Sequence, residues 1–178
     1  QGVLTRWIRE NAESEEECSR EVDRLKEGLG FSPFTAQIVA IGVLDAERGT
    51  GAVYFQAPGK TIEPFEEDGV KFRAMTEPDM LRQFWDVVQH AGTFVTFNGR
   101  AFDVPFLVIR SAAHRIRPTK DLMSNRYVNS QRDGAKHVDL LEQLTFYGAT
   151  GRRRPRLHLV PRTFGIESPK ADGVTGDD

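Results

Sequence analysis

The stretch from Thr93 to Arg115, TFVTFNGRAFDVPFLVIRSAAHR, constrains this chain more than any other. Thr93–Phe97 is β-branched and aromatic without a charge, the composition of a strand covered on both faces. Asn98-Gly99-Arg100-Ala101 supplies turn chemistry, because Asn and Gly both tolerate positive φ. Phe102, Phe106, Ile109 and Ala113 then recur at helical spacing and predict an apolar stripe. A strand, a tight turn and a helix in this order indicate an α/β fold. Asp103 falls at the start of the helix, just past the carboxyl end of the strand, where open α/β sheets bind ligands. An acid there meets the positive end of the helix dipole and can hold a metal ion, and it can equally serve as a simple helix cap.

The segments around this unit are shorter signals. Residues 3–13 and 14–29 predict two helical pieces, with Ser14 and the following glutamates forming a capping box. Gln37–Leu44 reads as a buried strand, followed by the hairpin loop Asp45–Gly51 and a strand over Ala52–Gln56. Residues 57–69 read as a polar loop and Val70–Ala74 as an edge strand. Thr76-Glu77-Pro78-Asp79 opens a helix whose buried face is Leu81, Phe84, Trp85 and Val88, ended by Gly92. A basic loop over 115–136 leads to a helix from His137 to about Tyr147, a loop over 148–155 and a short helix over Leu157–Phe164.

Composition excludes several classes. The 178 residues suffice for one domain with a sizeable core. The single Cys18 excludes an internal disulfide framework and fits a reducing compartment, so a cytoplasmic protein is expected. No apolar run reaches the roughly 18–20 residues that span a bilayer. No phosphate-binding loop, nucleophile elbow or dinucleotide fingerprint occurs. His137 and Asp139 read as capping and packing, since no second His or Cys stands at ligand spacing. Charge is uneven. Residues 1–92 hold 17 acidic against 10 basic side chains, residues 93–178 hold 9 against 14. A basic half around the candidate site suits a phosphodiester, although solvated surface charge has the same composition.

The run Asn98-Gly-Arg-Ala-Phe102-Asp103-Val-Pro105-Phe106-Leu107 resembles the second exonuclease motif of family B DNA polymerases: Asn, three spacers, Phe-Asp, one residue, Pro, an aromatic and Leu. The chain from about Gln37 to Lys170 resembles more closely the bacterial 3'–5' exonucleases related to that polymerase domain. The resemblance implies a ribonuclease H-like mixed sheet flanked by helices and hydrolysis of phosphodiester bonds at single-stranded DNA or RNA 3' ends. It also implies Mg²⁺ or Mn²⁺ as cofactor in a two-metal site, with Asp103 as catalytic metal ligand. Asn98 and Phe102 would bind the terminal nucleotide, and core packing is the other reading of Phe102.

Two further family motifs are expected and not matched. Asp45-Ala46-Glu47 spells Asp-x-Glu but lies in a Gly-rich hairpin, where an ordinary loop accounts for it. No Tyr-x-x-x-Asp follows Gly165. On this reading the chain is one partial domain over residues 1–178, truncated at both ends, without its first strand and last helix, and inactive alone. Arg152–Arg156 could grip a strand's phosphates or be a solvated loop. The alternative function is a non-catalytic nucleic-acid-binding module on the same fold. No membrane association is expected.

Overall fold

A computed structural model of the chain describes residues 2–134, 136–151 and 155–166. The chain divides into two compact units, Gln1–Gln89 with Pro105–Thr119, and His90–Val104 with Lys120–Asp178.

The first unit begins with α1 (Gly2–Asn11) and α2 (Glu15–Gly30). The Ser14 hydroxyl accepts the Glu17 N–H at 3.1 Å, and the Glu17 carboxylate accepts the Glu13 N–H at 2.8 Å. The expected capping box therefore forms, with its return bond one residue earlier than usual. A four-stranded mixed sheet follows, made of β1 (Ala40–Asp45), β2 (Thr50–Phe55), β3 (Phe65–Glu67) and β4 (Val70–Ala74) in the order β1-β2-β4-β3. β1 pairs with β2 antiparallel, β2 with β4 parallel, and β3 with β4 antiparallel.

Three expectations need correction here. The strand predicted over Gln37–Leu44 begins at Ala40 and is not buried: Ile41 is covered, but Leu44 is 67% exposed. Among the described residues β1 has a neighbour on one side only, so its apolar residues read as central in sequence while the strand lies at the edge of this sheet. Residues 57–69 are not all loop, because Phe65–Glu67 pairs with β4 and Phe65 stacks on Phe72 with ring centroids 4.7 Å apart. Val70–Ala74 is consequently an interior strand, not an edge.

Helix α3 (Glu77–Val88) packs on β1 and β2 through the face the sequence predicts, Leu81, Phe84, Trp85 and Val88, joined by Met80. The Thr76 hydroxyl donates to the Asp79 carboxylate at 2.6 Å and makes no cap bond to the backbone. Within the same unit the Trp85 indole N–H donates to the Ser111 hydroxyl at 2.8 Å, so both buried polar groups are satisfied. Glu77, 4% exposed, takes the Ile38 N–H, a forked pair from Arg110 and a bond from His114. Helix α4 (Asp103–Ala113) buries Val104, Phe106, Leu107 and Ser111. The predicted stripe of Phe102, Phe106, Ile109 and Ala113 is thus not its buried face. Phe102 and Ala113 are exposed. Apolar residues surround this helix almost completely, so spacing alone could not choose among its faces.

The second unit contains a two-stranded parallel sheet of β5 (Thr93–Thr96) and β6 (Lys136–Asp139). The strand expected over Thr93–Phe97 ends one residue earlier than predicted and is not covered on both faces, Val95 being 56% exposed. A helix from His137 is also corrected: His137–Asp139 lies in β6, and α5 (Leu140–Leu144) starts after it with Asp139 as its cap. Short 3₁₀ turns occupy Val128–Ser130 and Phe146–Gly148, and α6 is Leu159–Thr163. Arg152, Arg153 and Arg154 lie outside the described residues, as does the tail from Glu167.

Together these elements make an α/β fold, a mixed sheet flanked by helices, consistent with a ribonuclease H-like exonuclease fold.

Candidate active site

The turn after β5 is built by three local devices. Asn98 adopts a left-handed backbone with φ of 62°, which Asn accepts more readily than most residues. Gly99 is required for space rather than for its φ: a Cβ there would stand 2.5 Å from the Thr96 Cβ. The Gly99 carbonyl then accepts the Val104 N–H at 2.8 Å and starts α4.

A fourth device comes from far along the chain. Asp139, 2% exposed, accepts the Asn98 N–H at 2.8 Å, the Arg100 N–H at 3.0 Å and the Leu141 N–H at 3.0 Å. One carboxylate therefore caps α5 and clamps the turn that precedes Asp103. Hydrogen bonds to a charged group are worth about 1.5–3 kcal/mol each, so this clamp outweighs the turn's own propensities. The Arg100 side chain extends the hold by donating to the carbonyls of Leu122, Met123 and Ser124, at 3.3, 3.2 and 2.7 Å.

His137 is equally enclosed, 1% exposed. Its Nδ1 donates to the Leu122 carbonyl at 2.9 Å, which leaves Nε2 to accept the Thr96 hydroxyl at 2.8 Å. Burial is the main influence and pushes the imidazole below its ordinary value, with Arg100 adding to that; the Leu122 carbonyl, Asp139 and Glu142 pull the other way. His137 is a neutral packing group, as the sequence suggests.

Asp103 stands in the first turn of α4 and is exposed at the surface. Loss of surrounding water is still the largest influence on its carboxyl and raises it above the ordinary value. Its own backbone N–H opposes the rise, the Asp139 charge adds to it and His137 opposes it. Asn98 is half-buried, and Phe102 is 41% exposed. All three predicted site residues therefore belong to one turn and its helix start.

A divalent cation of the Mg²⁺ type takes one or two carboxylates along with water and phosphate oxygens, and Asp103 has that chemistry. The Asp139 carboxylate is given to holding the turn, its two oxygens accepting three backbone N–H groups. Among the described residues no group of three or more His, Cys, Asp or Glu could hold a metal ion. Asp45, expected in the hairpin loop, is instead the last residue of β1, and its carboxylate accepts the N–H groups of Glu47 and Arg48 at 3.1 Å in the turn that follows.

The importance of Asp139 was not visible in sequence. Its partners lie about forty residues away, and only its place before Leu140-Leu141 marked it, as a helix cap. No described helix is long and apolar enough to cross a membrane. Comparison with curated proteins finds no match. Residues 35–178 match the family described as predicted 3'–5' exonucleases related to the exonuclease domain of PolB. The match takes in the strand, the clamped turn and Asp103, and this chain belongs to that family.

Proposed function

We propose that the protein is a metal-dependent 3'–5' exonuclease acting on single-stranded nucleic-acid ends, with Asp103 as a Mg²⁺ or Mn²⁺ ligand. The observation that carries this reading is the place of Asp103. It is an exposed carboxylate at the first turn of a helix, directly after a strand, in a turn held rigid by Asp139. A divalent metal bound there would supply Lewis acidity and a hydroxide nucleophile at neutral pH. The chain's own contribution is positional. Asp103 offers a hard anionic oxygen, Asn98 orients the terminal nucleotide through its amide, and the Phe102 ring stacks on a base for about 1–3 kcal/mol. The protein would act in the cytoplasm.

A second reading, a non-catalytic single-strand binder, is favoured by one observation: among the described residues no group of three or more His, Cys, Asp or Glu comes together to hold a metal ion. One experiment separates the two. The full-length protein is incubated with a single strand labelled at its 5' end, with and without Mg²⁺, beside Asp103→Asn. A metal-dependent ladder shortening from the 3' end, lost by several orders of magnitude in the variant, supports the nuclease. Binding without cleavage by the unsubstituted protein establishes the binder. Near wild-type cleavage by Asp103→Asn removes Asp103 from the site.

A further inference from the structure

The second unit carries an aromatic cluster apart from Asn98, Phe102 and Asp103. The Tyr127 and Tyr147 rings meet edge to face, with centroids 4.7 Å apart at 61°. The Arg126 guanidinium lies 5.9 Å from the first ring and 5.6 Å from the second, and the Glu142 carboxylate fixes it at 2.6 Å. The Tyr147 hydroxyl accepts the Gln143 amide at 2.7 Å. These rings are thus held in place before any ligand arrives.

Of these two rings Tyr127 remains accessible, 51% exposed, and Phe146, next to Tyr147 in the chain, is 72% exposed. Phe146 and Tyr147 are consecutive bulky residues with φ of 48° and 57°, a region that costs such residues about 1–3 kcal/mol each. Gly148, at φ of 99°, continues the same sharp reversal. A backbone strained to hold a ring in water is unfavourable for folding alone and suits a face that receives a ligand.

The cluster connects with the turn before Asp103. Arg100, whose N–H is held by Asp139, points its Nε to the Glu142 carboxylate at 3.9 Å, and the other oxygen of Glu142 holds Arg126. The negative charge of Glu142 is thereby met by two guanidinium groups, and the face offers flat rings edged by positive charge.

We propose that Tyr127 and Phe146, edged by Arg126, form a stacking platform for unpaired nucleobases of a single-stranded nucleic acid. The platform rests on the nucleic-acid reading of the site above. Rings give affinity without sequence preference because every base has a π-face, and the guanidinium edge suits the adjoining phosphate.

Fluorescence anisotropy of the full-length protein with labelled oligo(dT), oligo(U) and an abasic oligonucleotide of equal length tests it. Tyr127→Ala combined with Phe146→Ala is expected to weaken binding of a base-bearing strand about ten- to a hundredfold and to leave abasic binding nearly unchanged. Tyr127→Phe should retain affinity. Loss on oligo(dT) alone or oligo(U) alone identifies which strand the platform serves. Photocrosslinking of a 5-iodouracil-substituted strand to the unsubstituted protein, mapped by mass spectrometry, needs no variant and should mark Tyr127 or Phe146. Unchanged affinity in the double variant, equal loss on the abasic strand, or crosslinks only elsewhere would overturn the platform while leaving the nuclease reading in place. Failure of the unsubstituted protein to bind any of the three strands would instead overturn that reading, and the platform with it.

Discussion

Asp139 accepts the backbone N–H of Asn98 at 2.8 Å, joining the end of β6 to the turn that follows β5. The carboxylate holds the turn that presents Asp103 and, through its charge, also adds to the rise of the Asp103 carboxyl. Asp139→Asn keeps the shape but turns an acceptor oxygen into an NH₂ that must face an N–H donor. The expected loss is about 1.5–3 kcal/mol for each charge-assisted bond broken. Amide hydrogen exchange should quicken at Asn98 and Arg100 together. Protection unchanged at both would show that the turn holds itself.

Gly99→Ala tests the close approach on the other side of that turn. The new methyl would stand 2.5 Å from the Thr96 Cβ, so the backbone must move, at a cost of about 1–3 kcal/mol. Adding Thr96→Ala should not restore stability, because the Cβ itself is in the way. Urea denaturation of the single and double variants reads this directly, and full rescue by Thr96→Ala would contradict the geometry.

In the first unit the Glu77 carboxylate is the acid-sensitive group. Burial alone would raise it, but the hydrogen bonds from Arg110, the Ile38 N–H and His114, with the Arg110 charge, outweigh that and bring it down to about 2. In the unfolded chain it returns to its ordinary 4.5. Its contribution is therefore complete above pH 4.5 and is lost as pH falls toward 2. Glu77→Gln should remove this acid step and cost about 3–5 kcal/mol at neutral pH, since Arg110 is left without its charge partner. Melts recorded from pH 7 to pH 2 check both points, and an acid limb unchanged in the variant would be the contrary result.

His137 moves stability in a separate window with its own sign. Its folded value lies below the ordinary 6.5, so the unfolded chain takes up the proton first. Stability should begin to fall as pH drops below about 6.5, before Glu77 titrates. NMR titration of the ring should show a neutral imidazole protonated on Nδ1 at pH 7. A charged ring there would contradict the enclosure.

The strand, turn and helix around Asp103 were legible because strand composition, Asn-Gly chemistry and an apolar helix lie within some twenty consecutive residues. Ser14 and the buried face of α3 were legible for the same local reason. Local signals failed where pairing decides the structure. β3 is three exposed residues that become a strand only because β4 lies beside them. His137-Val138-Asp139 has the letters of a helix start, yet its pairing with Thr93–Thr96 makes it a strand. Gly99 read as a residue chosen for φ, whereas the Thr96 side chain is what excludes a larger one. Asp139 was recognised as a cap, and its second task depends on an amide far away in sequence.

That separation sets an order of events during synthesis. Asn98 and Asp139 are 41 residues apart, so at about 5–20 residues per second the ribosome needs roughly 2–8 s after the turn to deliver its clamp. Through that interval the nascent chain carries every letter of the motif around Asp103 without the bonds that shape it. The turn before Asp103 therefore takes its shape only when the closing carboxylate emerges, and a chain released early would hold the family's motif without its geometry.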